Sequence, residues 1–178
     1  MDLGVIAVRY ARALLKAANA LNVEDNIYRE MQTLSESFLK VPQLRFTIEN
    51  PMLEKDKKQK LIITACGNNV EELTRKFVAL VLKEDRENTL QFMAASFVSL
   101  YRAEKNIIRG RLITAAAVSP ATEQKMRQMV EQNTKGTVEF QTEVNPDIIG
   151  GFILEYGTYR MDASVKTKLA TILSQLKK

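Results

Sequence analysis

The stretch Val144-Asn145-Pro146-Asp147-Ile148-Ile149-Gly150-Gly151-Phe152-Ile153-Leu154-Glu155-Tyr156-Gly157-Thr158-Tyr159-Arg160-Met161-Asp162-Ala163-Ser164-Val165 decides the fold. Pro146 and Asp147 mark a turn, because proline fixes φ and aspartate bonds back to nearby backbone. Ile148, Ile149, Phe152, Ile153 and Leu154 predict a buried strand. Gly150 and Gly151 fall inside it, where glycine marks a bulge or a close backbone approach. Gly157 opens a second turn, followed by a short strand. Asp162 or Ser164 is then placed to cap a helix by accepting its orphan N–H groups. The block holds no nucleophile–base set and no metal cluster; it is built for shape.

Upstream, residues 4–105 read as helix after helix. Ile6, Tyr10, Ala13, Leu14, Ala17 and Leu21 recur at helical spacing, as do Ile27, Met31, Leu34 and Phe38. Val41-Pro42 and Asn50-Pro51 break the run, with Pro42 suited to the first turn of a short third helix around Leu44 and Ile48. A fourth helix is predicted from about Glu54 to Ala65 and a fifth from about Val70 to Lys83. A sixth starts near Thr89. The pattern changes near Asn106. Ile107 to Val118 is apolar and β-leaning, and Ser119-Pro120 starts a helix that stops near Gly136. Val138, Phe140, Thr142 and Val144 alternate with polar residues, which predicts a half-buried strand. Val165, Leu169, Ile172, Leu173 and Leu176 share one side of a last helix. The expected fold is mainly α with a small α/β part: a six-helix bundle over residues 1–105, then an α/β domain over 106–178.

Composition excludes several classes. The chain has 178 residues, net charge +5, no histidine and a single cysteine. Without histidine, the commonest general base and metal ligand are both missing. Cys66 alone offers neither a disulfide nor a thiolate cluster, and reads as a small buried residue rather than a catalytic thiol. Residues 1–106 carry a net +2 and residues 107–178 a net +3. Nucleic-acid binders concentrate their charge more sharply. No apolar run reaches the roughly 20 residues needed to span a bilayer. The N-terminus, with Asp2 and helical spacing from Ile6, does not read as a signal peptide.

Function-bearing surface is sought in the helices. On the first helix Arg9, Arg12, Lys16 and Asn19 fall within roughly 80° of arc, leaving an apolar arc of roughly 240°, more than a surface helix needs. Ala7, Ala11 and Ala18 form a small-residue strip that allows a close helix neighbour. Either this helix is central to its own bundle, or one edge stays open for a partner's helix. The fifth helix has a similar excess beyond its stripe of Leu73, Phe77, Leu80 and Val81. The run Lys55-Asp56-Lys57-Lys58-Gln59-Lys60 reads as a solvated helix face; no aromatics interleave for base stacking. Gly150-Gly151 lacks phosphate-loop spacing and is structural. Glu139 and Glu143 read as exposed strand residues rather than paired acid–base carboxylates.

The residues resemble a known family. Arg9-Tyr10-Ala11-Arg12-Ala13-Leu14, then Asn50-Pro51 with Lys57, Lys58 and Leu61, then the closing block with Val144 to Gly151, Gly157 and Asp162-Ala163-Ser164-Val165, look like the delta subunit family of bacterial F-type ATP synthase, related to the mitochondrial oligomycin-sensitivity-conferring protein. Thr158 departs from the Asp that the family often has there. The resemblance implies a non-catalytic stator subunit, without cofactor or metal, on the cytoplasmic face of a bacterial cell membrane. It implies that the N-terminal bundle binds the N-terminal helices of alpha subunits through its first and fifth helices, and that the C-terminal unit engages the C-terminal ends of b subunits. No nucleic acid and no direct membrane insertion are expected. Tyr10, Ala13 and Ala17 with Phe77, Leu80 and Val81 are the expected groove residues; Gly151, Gly157, Asp162 and Ser164 are expected to be structural. The rival readings are a nucleic-acid or ribosome-associated module using Arg109 and Arg111, and a small enzyme.

Overall fold

The computed structural model describes residues 3–67, 69–134 and 137–176. The chain forms two compact units, one up to Glu104 and one from Lys105. It is mostly helical, with a small mixed sheet in the second unit.

The first unit contains α1 (Leu3–Leu21), α2 (Glu24–Lys40), α3 (Pro42–Glu49), α4 (Lys55–Cys66), α5 (Glu72–Lys83) and α6 (Leu90–Glu104). A 3-10 turn at Glu87–Thr89 leads into α6. Ala7, Ala11 and Ala18 are fully buried, and α1 packs closely along α6. The small-residue strip therefore serves the bundle itself. Ile27, Met31, Leu34, Ile62, Val78, Val81 and Phe97 fill the core. Tyr28 of α2 stacks on Tyr101 of α6, centroids 4.2 Å apart, and the Tyr101 hydroxyl donates to Asp25 at 2.6 Å. Helices α1 and α5 each end on a left-handed residue that is not glycine. Asn22 and Asp85 take φ near +50°, and Val23 N–H and Arg86 N–H bond back to the carbonyls of Ala18 and Val81. These are αL caps that satisfy the last carbonyls of α1 and α5.

The basic run of α4 is not wholly a solvated face. Lys58 is buried and bonds Glu87 at 2.6 Å, because the α4 face that carries Ile62 inward carries Lys58 one turn earlier. Lys55 and Lys57 stay at the surface against Asp85 and Glu54.

The second unit contains β1 (Ile107–Thr114), α7 (Pro120–Thr134), β2 (Thr137–Val144), β3 (Phe152–Tyr156), β4 (Tyr159–Asp162) and α8 (Val165–Leu176). The strand order is β2-β1-β3-β4. β1 and β2 are parallel and joined by α7; β1–β3 and β3–β4 are antiparallel. The core lies between α7 and one sheet face, around Leu112, Val130, Val138 and Leu154. On the opposite face Glu143, Arg111, Glu155 and Arg160 form a chain of ion pairs across the four strands.

Several expectations are corrected here. Ile148 and Ile149 are not strand: Pro146–Ile148 is a 3-10 turn, pinned by the Asn145 side chain accepting from Asp147 N–H. Ile149 has φ +69° and is exposed. The strand starts only at Phe152, after both glycines. In β2, an edge strand of the sheet, the inward alternation fades: Thr142 and Val144 are exposed. Helix α5 starts at Glu72 rather than near Val70. The expected helix end at Gly136 lies outside the described residues.

Candidate functional site: a groove between α1 and α5

Helix α1 is 19 residues long and carries no acidic residue. Its inner side is consumed by the bundle; its outer side is not. Arg9, Tyr10, Ala13, Leu14 and Ala17 from α1 face Leu73, Lys76, Phe77 and Leu80 from α5 across a concavity of about 390 Å³. Ala13 and Ala17 keep the floor low. Tyr10 and Phe77 meet edge to face at 6.4 Å and close one side. Leu80 is 47% exposed and continues the apolar lining to the edge of the concavity.

Five of the six residues read from the sequence as the groove thus line it: Tyr10, Ala13, Ala17, Phe77 and Leu80. Val81 does not. It is fully buried, because a residue one step from Leu80 turns 100° around the helix and points into the bundle. Leu73, on the expected α5 stripe but not chosen for the groove, lines it instead.

The sequence reading missed what fixes α5 in place. Glu30, buried on α2, accepts from Glu71 N–H at 2.7 Å and from the Thr74 hydroxyl at 2.5 Å. A carboxylate at the start of α5 also suits the helix dipole. The signal was available: Glu30 falls on the stripe of Ile27, Met31 and Leu34, where an acid must find a partner. Glu30 also lies near Cys66, whose thiol is pushed up to about 12, mainly by burial and further by Glu30. At neutral pH that thiol is protonated and buried, so it has no nucleophilic part.

The second unit presents a different surface. Helix α8 has no buried residue, and Leu169, Ile172, Leu173 and Leu176 are 46–78% exposed on one side. Its start is firmly set. Ser164, at the N-cap, accepts from Thr167 N–H at 3.2 Å, and Asp162 accepts from Ser164 N–H and from the Thr167 hydroxyl, both at 3.0 Å. These bonds hold the Asp162 carboxyl below its usual range, the hydrogen bonds to Ser164 being the largest cause. Gly151 has φ +77°, and a Cβ there would strike the Ala163 carbonyl. Gly157 takes φ +55° in the two-residue turn between β3 and β4, a conformation that hairpin turns require and glycine supplies. Gly157, Asp162 and Ser164 thus occupy the turn and the helix start expected of them, whereas Gly151 lies just before β3 rather than inside the strand.

Among the described residues no group of three or more His, Cys, Asp or Glu is placed to hold a metal ion. No described helix is long and apolar enough to cross a membrane. Arg111, a candidate phosphate contact, is held by Glu143 and Glu155. An apolar groove on one unit and an uncovered apolar helix face on the other define a docking protein, one that joins other chains.

Comparison with known proteins gives the family. The profile described as ATP synthase delta (OSCP) subunit matches residues 6–176. The chain is 44% identical to ATP synthase subunit delta of Phocaeicola vulgatus over 176 residues, covering 98% of this chain and 95% of the relative. It is 41% identical to the subunit delta of Parabacteroides distasonis, with 99% and 98% covered. It is 40% identical to that of Bacteroides fragilis, with 98% and 95% covered. Its fold matches a chain of the Toxoplasma gondii mitochondrial ATP synthase hexamer at TM-score 0.64 and 22% identity, with 97% of each chain covered. The chain belongs to the ATP synthase delta (OSCP) subunit family. It is a structural, non-catalytic subunit of the peripheral stalk.

Proposed function

We propose that the α1–α5 groove receives an N-terminal helix of an ATP synthase alpha subunit, and that the exposed face of α8 takes the C-terminal part of b subunits. The chain would then hold the catalytic head to the stalk on the cytoplasmic face of the bacterial membrane and resist the torque of rotation. The groove carries this reading: it is apolar, open, helix-sized, and walled by two helices that α6 and Glu30 fix from behind. The α8 reading rests on spacing. Val165, Leu169, Ile172 and Leu176 alternate by four, three and four residues, the seam of a coiled coil, and every one is exposed. A stator needs tight contacts that survive repeated load, and burying leucine-rich helix faces supplies them at roughly 25 cal/mol per Å² of apolar area.

The test is binding of a peptide covering the alpha subunit's N-terminal helix, read by fluorescence polarisation on the full chain. Wild type should bind it. Ala13→Asp, which sets a charge on the groove floor at an exposed position, should weaken binding by at least tenfold while circular dichroism and Tm stay near wild type. Unchanged binding by a folded Ala13→Asp chain would sink the groove reading.

A further inference from the structure

Resting on that groove reading, we infer that the groove selects its helix by charge: the occupant is an amphipathic helix with carboxylates flanking its apolar stripe. The observation is a one-sided rim. Arg9, Arg12 and Lys16 stand exposed on the outer face of α1 at i, i+3 and i+7, a span of roughly 10 Å at 1.5 Å per residue. None of the three forms an ion pair with any described residue. Arg9 lines the groove itself, and all three line the neighbouring depression along α1, beside the exposed Val5 and Val8.

The opposite wall agrees in sign. Lys76 lines the α5 side, and its only ion pair among the described residues is with exposed Glu72 at 3.7 Å. No described residue lining the groove is acidic. Elsewhere on this unit some surface cations are paired, Lys40 with Glu36, Arg45 with Glu49, Lys55 with Asp85 and Lys57 with Glu54, while the exposed Arg29, Lys60 and Lys83 have no ion pair with any described residue. What sets the α1 rim apart is that its three cations lie together on one helix face beside the groove. Arg12 and Lys16 are like charges at i, i+4, an arrangement that weakens the helix carrying it, and no acid on α1 offsets it. A partner with acids in register removes the repulsion, steers the approach and penalises a basic-flanked helix. Arg9, Arg12 and Lys16 are therefore specificity-determining residues, and the apolar floor is the source of affinity.

Three synthetic helices with one apolar stripe, flanked by Glu, by Gln or by Lys, test this against the full chain, beside the alpha subunit's N-terminal peptide. Each rim charge at an exposed pair is worth roughly two- to fivefold, so the Glu-flanked helix should bind on the order of tenfold tighter than the Gln-flanked one, and the Lys-flanked one weakest. Raising salt from about 0.05 to about 0.5 M should erase most of that spread, because screening then acts within a few Å. Arg9→Gln/Arg12→Gln/Lys16→Gln should flatten the ranking, bringing Glu-, Gln- and Lys-flanked helices to within about twofold of one another. Equal binding of all three helices to wild type, or a ranking that survives in the triple variant, overturns the charge inference and leaves the groove reading intact. Failure of every peptide, the alpha-subunit one included, overturns the groove reading and this inference with it.

Discussion

At the scale of single residues, burial decides chemistry more than residue type does. Cys66 is buried and its thiol sits about 12, so Ellman's reagent should leave it untouched in the native chain and label it fully in denaturant. Lys58 is the residue that composition misjudges most. It lies in a basic run that reads as solvated, yet it is paired with Glu87 Oε1 inside the fold, while the buried Glu87 Oε2 accepts no hydrogen bond. Lys58→Ala should lower unfolding stability by roughly 3 kcal/mol, because it leaves a carboxylate uncompensated. Lys58→Met/Glu87→Leu should recover most of that loss in urea titration. Ser164→Ala should remove about 1 kcal/mol from the second unit, the usual worth of an N-cap. Asp162 adds a pH signature. Its folded pKa is depressed, so its contribution is present above the ordinary carboxylate range and fades as pH falls through the depressed value. The Ser164 and Thr167 amide shifts in an NMR titration should therefore move below that range and not near neutrality.

At the scale of elements, periodicity located the helices but not their neighbours. The stripe spacing found α1, α2, α5 and α6 because each buries a face and so must repeat every 3.6 residues. The same spacing could not separate Leu80 from Val81, since both belong to an apolar arc wider than one contact. Only the position of α1 makes Leu80 a groove residue and Val81 a core one. The region before β3 shows the opposite limit. Two isoleucines before two glycines read as strand by propensity, but Pro146 and the Asn145 side chain turn the chain first. Gly151→Asp belongs to this scale: the added Cβ would meet the Ala163 carbonyl, at a φ that disfavours any side chain. It should destabilise the second unit by about 2 kcal/mol or more and lower its recovery in the assembled synthase. Normal melting of that variant would contradict the packing described.

At the scale of the whole molecule, two units carry two unlike surfaces, which is what a connector requires. Leu169→Ser/Leu173→Ser on α8 replaces no buried residue. It should leave the Tm within about 2 °C of wild type, a surface substitution away from the core, while weakening capture of b subunits in pull-downs. Loss of fold in that variant would mean that α8 supports the chain itself and is no docking face. The family, the mostly helical first part, the closing α/β block and its glycine and capping residues were set by the sequence alone, since backbone geometry at turns and repeat spacing along helices are local properties. The open side of α1, the capping of α5 by Glu30, the burial of Lys58 and the bare face of α8 were decided only in three dimensions. Each of them depends on which residues distant in the chain come to lie against one another and on where such neighbours are missing.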